Sequence, residues 1–447
     1  MKKFQTAYIP IGVPTFHLES AQKEFELSAE LLKSIDPDTA VPKEMLLSID
    51  KLNAFLDSID PDFIVLQNIT FANAAYASEV LARFKDAPIL LWTLREPVID
   101  GGRLRLNSLT GAYSAANAIK QMRKEQFEYV YGAPSEEKVI KHIKAAVRAA
   151  KVRFEMKSLK MAAVGHTPQG FGFGRALDLD LLEKFGVRLE SIEARELIDK
   201  AKSFTDEECA AYLKDAASRM KGLDKTPEKN RLDFARLYKA YFEYVKQSGI
   251  GALASRCWPD FFTSFGTPVC AVLAMLNDLG VAASCEADAY GALSMWIGMR
   301  LTGGAAFFGD PVSLNEEENT ISFWHCGTAA CSLARPDTGA CTGEHCNRHI
   351  GPTLEFGCKP AANVTIFRIG RKPDGSVRFF IASGEALDKP QQFLGTSLVV
   401  KTEKCAEEIV RRTVEEGWEP HYAVIYGDCA CELEILAKML GAEVLRF

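Results

Sequence analysis

Two carboxylates of this chain stand where apolar runs end, and a histidine follows the second of them. Ala282-Ala-Ser-Cys leads into Glu286, the run from Ala305 to Phe308 leads to Asp310, and His325 comes next. A short apolar run that ends at a polar residue and is followed by helix formers predicts a buried strand. Ligands of open α/β sheets bind at the carboxyl ends of strands. These side chains could therefore hold a divalent metal or share acid–base chemistry.

His421 opens a further apolar run, directly after the loop-like segment Gly417-Trp-Glu-Pro420. An imidazole at the start of a strand is a candidate metal ligand. A lone histidine is more often structural, and a carboxylate beside Gly or Pro can simply cap a turn. Taken together, a carboxylate-rich set with one or two imidazoles suits manganese or magnesium better than zinc or copper.

Cysteines are numerous but scattered. The chain has 12 of them, and the tightest group lies in Cys341-Thr-Gly-Glu-His-Cys-Asn-Arg-His349. Cys and His are the usual zinc ligands, yet this spacing matches no standard paired zinc motif. The alternative is a glycine-containing loop near the active site. Because no export signal is recognisable, we expect buried free thiols and a cytoplasmic protein.

Bulk composition narrows the class of protein. A length of 447 residues, with 47% hydrophobic and 25% charged residues, indicates a soluble globular chain of several domains. The net charge of −6 and the absence of a basic block argue against a nucleic-acid partner. No apolar run approaches the roughly 18 residues that a membrane span needs, so no membrane partner is expected.

The elements that must position these residues follow an alternating pattern. Strand and helix patterns alternate from the N-terminus, which predicts parallel, doubly wound sheets. We place a first Rossmann-like α/β domain at 1–155 and a second at 156–302. In the second, a charged helical stretch at 205–247 is predicted to break near Pro227. Its glycine-rich turn, 165–174, could cradle an anion but lacks the dinucleotide fingerprint, and we expect positive φ angles there.

From residue 303 the pattern changes to β-type runs with frequent Gly and Pro. Lys372-Pro-Asp-Gly375 predicts a hairpin turn between two of these runs. We therefore predict an antiparallel, β-rich C-terminal domain at 303–447 that forms a partial barrel. It is expected to close with a terminal helix and the strand 443–447.

With this arrangement, the chain resembles the L-fucose isomerase and L-arabinose isomerase superfamily over nearly its whole length. The segment 285–293 (Cys-Glu-Ala-Asp-Ala-Tyr-Gly-Ala-Leu) is similar to the first metal-carboxylate segment of that family. Phe308-Gly-Asp310 is similar to the second segment, and 421–428 (His-Tyr-Ala-Val-Ile-Tyr-Gly-Asp) to the C-terminal histidine segment. The chain is shorter than the fucose isomerases, and 428–431 (Asp-Cys-Ala-Cys) departs from the common pattern.

The resemblance implies a metal-dependent aldose–ketose isomerase. Glu286, Asp310 and His421 would bind Mn²⁺, or another divalent metal such as Mg²⁺ or Co²⁺. The metal would polarise the sugar carbonyl and stabilise an enediolate. Glu286 and Asp310 would be the catalytic acid–base pair, and catalysis of this kind typically contributes about 10²–10⁴-fold.

The resemblance also implies residues that bind the sugar. The segment 91–97 (Leu-Trp-Thr-Leu-Arg-Glu-Pro) resembles one that reaches into a neighbouring subunit, which implies a homo-oligomer with active sites at subunit interfaces. Arg256-Cys-Trp-Pro259 resembles a segment of shorter fucose-isomerase-like proteins, and His325 stands where arabinose isomerases carry a further histidine. The substrate-binding candidates are Trp92, Arg95, Arg256, Trp258 and His325.

The nature of the sugar is suggested by arginines in or near these segments, namely Arg95, Arg103, Arg105 and Arg256. Guanidinium groups suit a carboxylate, phosphate or sulfonate. We therefore expect an anionic hexose such as sulfoquinovose, a glucose with a sulfonate at C6. If these arginines pair with surface acids instead, a neutral sugar such as L-fucose or L-arabinose is the alternative. A non-catalytic sugar-binding protein and a redox or zinc enzyme built on the cysteines are alternatives of other classes.

Overall fold

The parallel sheet predicted for the start of the chain is present in the computed structural model, which describes residues 2–123 and 127–447. In spatial order its strands are β1 (Thr6–Ile11), β2 (Phe63–Asn68), β3 (Ile89–Thr93) and β4 (Glu128–Tyr131). The helices between and after them are α1 (Leu18–Ile35), α2 (Ile49–Leu56), α3 (Ala74–Arg83), α4 (Ser108–Met122) and α5 (Glu137–Met156). The first three strands are buried along their whole length, as strands covered by helices on both faces must be.

A second parallel sheet follows in the order β6-β5-β7-β8. Its strands are β5 (Lys160–Val164), β6 (Arg188–Ile192), β7 (Ala252–Ser255) and β8 (Ala282–Ser284). The helices of this part are α6 (Asp178–Phe185), α7 (Ala194–Lys202), α8 (Asp206–Arg219), α9 (Glu228–Ser248), α10 (Cys270–Asp278) and α11 (Ala289–Thr302).

The charged stretch of this second part forms two helices, as predicted. Helix α8 begins with a capping box in which Thr205 and Glu208 satisfy each other's backbone N–H groups. Helix α9 follows Pro227 and is capped at its C-terminus by Gly249, whose φ of 67° is the left-handed conformation that glycine tolerates. The break is predictable because both caps are local features of the sequence.

The C-terminal part is a mixed, mostly antiparallel sheet of nine strands, in the order β11-β12-β15-β10-β9-β16-β13-β14-β17. The strands are β9 (Ala306–Asn315), β10 (Thr320–His325), β11 (Cys341–Gly343), β12 (Thr353–Gly357), β13 (Ala361–Arg371), β14 (Val377–Ala386), β15 (Thr396–Thr402), β16 (Tyr422–Tyr426) and β17 (Glu443–Arg446), with helix α12 (Ala406–Glu415). An additional pairing of β14 with β15 closes β15, β10, β9, β16, β13 and β14 into an antiparallel barrel. The predicted α/β class with a β-rich, barrel-like C-terminal part is thus confirmed.

Helix α11 is the element that both sheets share. Every residue of it except Arg300 and Thr302 is buried, which is typical of a helix that is apolar on all sides. It packs against β7 and β8 of the parallel sheet and against β9, β13 and β16 of the barrel. Its N-terminus therefore lies where the end of β8 meets the barrel strands.

The chain divides into two compact units, Met1–Glu155 with Cys431–Ala442, and Met156–Ala430 with Glu443–Phe447. Helix α13 (Ala430–Met439) thus lies mainly in the first unit rather than with the β-rich part. Within that unit, Lys438 forms an ion pair of 2.8 Å with Glu128 at the start of β4. The predicted division of the second unit at residue 302 stays a prediction. None of the described helices has the length and apolar character that crossing a membrane requires.

Candidate active site

Glu286 lies in the short connection between β8 and α11. It and Ala287 have φ angles of 57° and 55°, a left-handed conformation that is uncommon outside glycine. The N–H of Ala287 donates to the carbonyl of Ser255 at 3.0 Å, and the N–H of Asp288 donates to that of Cys285 at 3.2 Å. Backbone conformations of this kind cost of order 1–3 kcal/mol and cluster at functional sites. The connection is therefore held in an uncommon shape at the position of the predicted ligand.

Adjacent strands of the barrel bring the other predicted side chains to the same place. Asp310 lies on β9, and His325 ends the neighbouring strand β10. His421 immediately precedes β16, which pairs with β9 on its other side. Three residues separated by up to 111 positions thus meet at one rim, because antiparallel pairing aligns their strand ends.

His421 is the centre of this group. Its Nε2 lies 3.0 Å from Oε2 of Glu286 and 3.3 Å from Oδ1 of Asp310. Nε2 of His325 lies 4.0 Å from the same oxygen of Glu286. One ligand atom from each of Glu286, His325 and His421 falls within 4.8 Å of the other two. Carboxylate oxygens with imidazole nitrogens are a donor set that fits Mn²⁺ or a related divalent ion.

The site is accessible from one side. The side chain of His421 is only 1% exposed, whereas that of Asp310 is 30% exposed. A catalytic metal site needs such an open side, because substrate must reach a coordination position that the protein leaves free. The buried His421 is thus held inside the protein, whereas Asp310 lies on the side that a sugar can approach.

Asp288 contacts Nδ1 of His421, the ring nitrogen that does not face Glu286 and Asp310. This residue was not predicted from the sequence. Its Oδ2 lies 2.9 Å from Nδ1 of His421 and 2.5 Å from a guanidinium nitrogen of Arg368. Its Oδ1 accepts the N–H of Gly291 at 2.8 Å, which caps α11. A metal-ligating histidine almost always has such a partner on its other ring nitrogen, which sets the tautomer and the ring orientation. An N-cap aspartate two residues after Glu286 was the available sequence signal.

The charges of the group shift its pKa values in different directions. Burial raises the pKa of Glu286, but the hydrogen bond from His421 and the positive charge of His325 outweigh it and leave that pKa below its ordinary value. Burial raises the pKa of Asp310, and the two histidines offset this only in part. Burial lowers the pKa of His421, but Asp288 and Glu286 together raise it to about 10. Two carboxylates whose pKa values move apart suit a base and an acid.

Aromatic rings form the wall beside His421. The ring centroid of Phe308 lies 4.7 Å from that of His421. The glycine-rich turn contributes Phe173 at 5.5 Å and Phe171 at 6.4 Å. A Cβ at Gly174 would lie 2.8 Å from Cα of Asp288, so only glycine lets the turn pack this closely. The turn has positive φ angles at positions 165 and 170, as expected.

Among the predicted substrate residues, Trp258 contacts the site directly. Its Nε1 donates to Oε1 of Glu286 at 3.3 Å. Arg256 lies in the same loop, and its Nε is 2.6 Å from a carboxylate oxygen of Asp260. The loop therefore orients a candidate ligand through Trp258, while the charge of Arg256 is already paired.

Trp92 and Arg95 belong to the first compact unit. Trp92 is fully buried, and its Nε1 donates to the carbonyl of Gly132 at 2.9 Å, so its ring is part of the core of the first sheet. Arg95 makes two hydrogen bonds with Glu136, of 2.5 and 3.0 Å, and its guanidinium lies over the ring of Tyr131. Trp92 therefore offers no exposed ring face to a sugar, whereas Arg95 is 46% exposed.

Each arginine of the anionic-sugar hypothesis has a partner within the chain. The pairs are Arg95 with Glu136, Arg103 with the carbonyl of Thr15, Arg105 with Asp100, and Arg256 with Asp260. These contacts match the alternative reading, in which the four arginines pair with nearby acceptors. If the substrate is anionic, a different cation has to be considered.

Arg348 is such a cation. Its guanidinium carbon lies 5.4 Å from the ring centroid of Trp258 and 4.8 Å from that of Phe262. Within the described chain, this guanidinium forms no ion pair and no hydrogen bond. Arg348 was not predicted from the sequence, although it lies in the cysteine- and histidine-containing segment 341–349. The structure thus places one unpaired cation beside the tryptophan that contacts Glu286.

Comparison with known proteins gives concordant results. Residues 351–447 match the family model described as L-fucose isomerase, C-terminal domain. The chain is 64% identical to a sulfoquinovose isomerase of Clostridium sp. (strain MSTE9) over 443 residues, which is 99% of both chains. It is 36% identical to a sulfoquinovose isomerase of Priestia aryabhattai over 447 residues, or 99% of both chains. It is 35% identical to one of Alkalicoccus urumqiensis over 441 residues, or 98% of both chains.

Proposed function

The chain belongs to the fucose-isomerase-like family of sugar isomerases and is an aldose–ketose isomerase; from this premise, we propose that it converts sulfoquinovose to sulfofructose. The observation that carries the proposal is 64% identity over 99% of both chains to a relative of that name. The match extends over nearly the whole chain rather than over one domain. The alternative of a non-catalytic sugar-binding protein is set aside, because the relatives are isomerases.

The proposed cofactor is a divalent metal, with Mn²⁺ as the first candidate. Glu286, Asp310 and His421 would hold it, with His325 beside them, because their donor atoms converge and suit a hard divalent ion. When bound, the ion would polarise the sugar carbonyl and stabilise negative charge on the neighbouring oxygen. Asp288 keeps Nδ1 of His421 engaged, so that Nε2 is directed toward the ligand oxygens.

The proton transfers fall to the two carboxylates. Glu286, whose pKa lies below its ordinary value, is the proposed base that takes the proton from the carbon next to the carbonyl. Asp310, whose pKa is raised by burial, serves the other side and returns a proton to the adjacent carbon of the enediol. The indole N–H of Trp258 holds the second oxygen of Glu286 in place.

The sulfonate is proposed to bind Arg348. A guanidinium presents several N–H donors in a plane, which suits the oxygens of a sulfonate. Arg348 has these donors free within the described chain, and the rings of Trp258 and Phe262 support its guanidinium. The charge of Arg256, by contrast, is taken up by Asp260. The anionic end of the sugar would thus extend from the carboxylate group toward Arg348.

A neutral sugar such as L-fucose or L-arabinose is the second candidate substrate. The observation that favours it is the pairing of Arg95 and Arg256 with carboxylates, which removes two of the cations expected to face an anionic group. Sulfoquinovose remains the first candidate, because the relatives that carry its name match along the whole chain.

A substrate panel tests the proposal. With Mn²⁺ present, we expect ketose formation from sulfoquinovose with a higher kcat/KM than from glucose, L-fucose or L-arabinose. Arg348→Met should lower kcat/KM for sulfoquinovose roughly 10–100-fold, since a hydrogen bond to a charged group contributes about 1.5–3 kcal/mol. The same change should leave the value for glucose unaltered. Arg195→Met is the matched control, because Arg195 is an exposed helix residue that pairs with Asp199 one turn along the same helix.

Two outcomes would contradict this assignment. A wild-type protein that prefers a neutral aldose would exclude sulfoquinovose as the substrate. An Arg348→Met variant that loses activity on glucose and sulfoquinovose equally would show that Arg348 acts on the fold rather than on the sulfonate. In either case the metal site could be assayed separately by Mn²⁺ binding.

We also propose a cytoplasmic homo-oligomer whose active sites lie at subunit interfaces. The buried cysteines Cys257, Cys270, Cys285, Cys326 and Cys358 are free thiols, which supports a reducing compartment. Arg95, in the segment that resembles the intersubunit segment of the family, is the residue proposed to reach the neighbouring site. No nucleic-acid or membrane partner is proposed.

A further inference from the structure

A second group of metal-ligating side chains lies close to the candidate active site, and most of its donors are sulfur atoms. Cys270, Cys326 and His345 each offer one ligand atom, and these atoms lie within 4.8 Å of one another. The three residues are 0%, 9% and 4% exposed, respectively. Neither cysteine is in a disulfide. The group is therefore shielded from solvent, and its two thiols are not used in disulfides and can bind a metal.

Further thiols border this group. The neighbouring thiols of Cys257 and Cys326 raise the pKa of Cys285 well above its ordinary value, and that of Cys326 does the same to Cys270. Cys285 is 0% and Cys257 is 2% exposed. We call these four cysteines and His345 the thiol cluster. A single buried thiol behaves as a small apolar residue, but four thiols with an imidazole form a donor set.

The thiol cluster is assembled by the fold from separate elements. Cys257 follows β7, Cys285 follows β8, Cys270 begins α10, Cys326 follows β10 and His345 lies in the loop after β11. Helix packing and strand pairing therefore bring together donors that span almost 90 positions of the chain. This explains why no zinc motif is visible in the spacing of the cysteines.

We propose that Cys270, Cys326 and His345 bind a zinc ion, each through one of the converging ligand atoms. Zn–S bonds of about 2.3 Å and Zn–N bonds of about 2.0 Å in a tetrahedron separate neighbouring donors by roughly 3.5–3.8 Å. The observed separations, within 4.8 Å, can reach these values through side-chain adjustment. Thiolates select zinc over manganese, whereas the group around His421 has the opposite preference. The two sites would therefore bind different metals, because their ligand atoms differ.

The position of the cluster gives the zinc a structural role for the isomerase site. Sγ of Cys326 lies 3.4 Å from Nδ1 of His325, so a ligand to zinc would also orient that imidazole. His345 accepts the backbone N–H of Arg348 at 3.1 Å through its carbonyl oxygen. Zinc would therefore fasten the loop that carries Arg348 to the ends of β10 and α10. The thiol cluster positions residues and does not itself touch the substrate.

Metal analysis tests the inference without relying on the isomerase reaction. Full-length protein purified without chelator is expected to contain one zinc per chain by elemental analysis. Exchange with Co²⁺ should produce a thiolate-to-cobalt charge-transfer band in the near ultraviolet. Cys270→Ser should abolish both signals, whereas Cys405→Ser, at an exposed position, should keep them. Glu286→Gln should also keep them, because it alters only the carboxylate site.

The results that would overturn the inference are equally direct. Wild-type protein that takes up no zinc and gives no thiolate band with Co²⁺ would exclude the site, and this measurement needs no variant to fold. Zinc that is kept in Cys270→Ser, or lost in Glu286→Gln, would place the ion elsewhere. Protein that lacks zinc yet isomerises sulfoquinovose would overturn this inference alone and leave the proposed function standing.

Discussion

Asp288 joins the candidate metal site to a buried guanidinium. It contacts His421 on one side and Arg368 on the other, and all three residues are at most 1% exposed. Among the described residues, Nε and one Nη of Arg368 have no hydrogen-bond partner. The ion pair with Asp288 is therefore what offsets the burial of this charge. Breaking one partner of a buried ion pair leaves an uncompensated charge, which costs about 3–5 kcal/mol. The geometry of His421 is therefore coupled to the stability of the fold.

Asp288→Asn should affect both the stability of the fold and the binding of the metal. The amide can still cap α11, but it loses the charge that stabilises Arg368. We expect the free energy of unfolding to fall by about 3–5 kcal/mol and Mn²⁺ affinity to fall roughly 10–100-fold. Chemical denaturation and titration calorimetry measure the two quantities.

The double variant Asp288→Asn with Arg368→Met is the matched control. Because it removes the unpaired guanidinium as well, it should recover part of the lost stability without recovering metal affinity. Unchanged Mn²⁺ affinity in the single variant would contradict the role of Asp288 in positioning His421.

Metal binding should depend on pH through His421. Without metal, burial lowers the pKa of this imidazole, but Asp288 and Glu286 raise it to about 10, so the ring is protonated at neutral pH. A metal binds only the neutral imidazole, so binding must release a proton. Below that pKa, the association constant for Mn²⁺ should rise about tenfold per pH unit.

Calorimetric titrations in buffers of different ionisation enthalpy measure this proton release. About one proton per bound metal is expected between roughly pH 6 and 9. Affinity that stays constant across this range would show that His421 is already neutral or is not a ligand. His421→Gln should remove both the proton release and most of the affinity.

Among the elements, helix α11 determines where the site forms. It carries Asp288 at its N-cap and packs between the parallel sheet and the barrel. Gly298 marks its closest approach to β16, because a Cβ there would lie 2.4 Å from Cγ1 of Ile425. A larger residue must therefore separate the helix from the strand that follows His421.

Gly298→Ala is expected to lower the free energy of unfolding by about 1–2 kcal/mol. Overpacking costs about 1–3 kcal/mol, and the better helix propensity of alanine returns about 0.5–1 kcal/mol. Gly304→Ala is the control, since a Cβ at Gly304 would meet no atom within 4 Å. Its unfolding free energy should change by no more than about 0.5 kcal/mol. Equal stability of both variants in urea would contradict the close packing of α11.

At the scale of the whole molecule, residues proposed for the active site come from both compact units. The metal-binding candidates lie in the second unit, and Arg95 lies in the first. Most soluble oligomers contain identical subunits in closed symmetric arrangements, so a segment of one copy can complete the site of another. A shared site of this kind can be detected by mixing variants.

Glu286→Gln and Arg95→Ala should each have low activity as separate oligomers. If sites are shared between subunits, co-expression of the two variants should restore activity, because some mixed sites contain neither substitution. Ketose formation from sulfoquinovose by the purified mixed oligomer measures this. Mixed oligomers that stay inactive would indicate that Arg95 does not act in a neighbouring site. The oligomer size is checked by light scattering.

Local features were predicted well from the sequence. The strand–helix alternation, the break at Pro227 and the hairpin turn at 372–375 all depend on residues close in the chain, and each is present. Glu286, Asp310 and His421 could be selected because each stands beside an apolar run and matches a family segment. Their convergence at 3.0 and 3.3 Å from Nε2 of His421 follows from strand order, which the sequence pattern only implied.

Other features required the tertiary structure. Arg368 contacts Asp288 across 80 positions, and the thiol cluster unites donors from five segments. Arg95 and Arg256 are paired with carboxylates, so Arg348 is proposed in their place as the residue that binds the anionic group. The sequence by itself determined which chemical groups and local elements the protein has, because propensities, caps and turns act over a few residues. The tertiary structure alone decided which groups are paired, buried or free, because ion pairing and burial depend on neighbours that are distant in the chain.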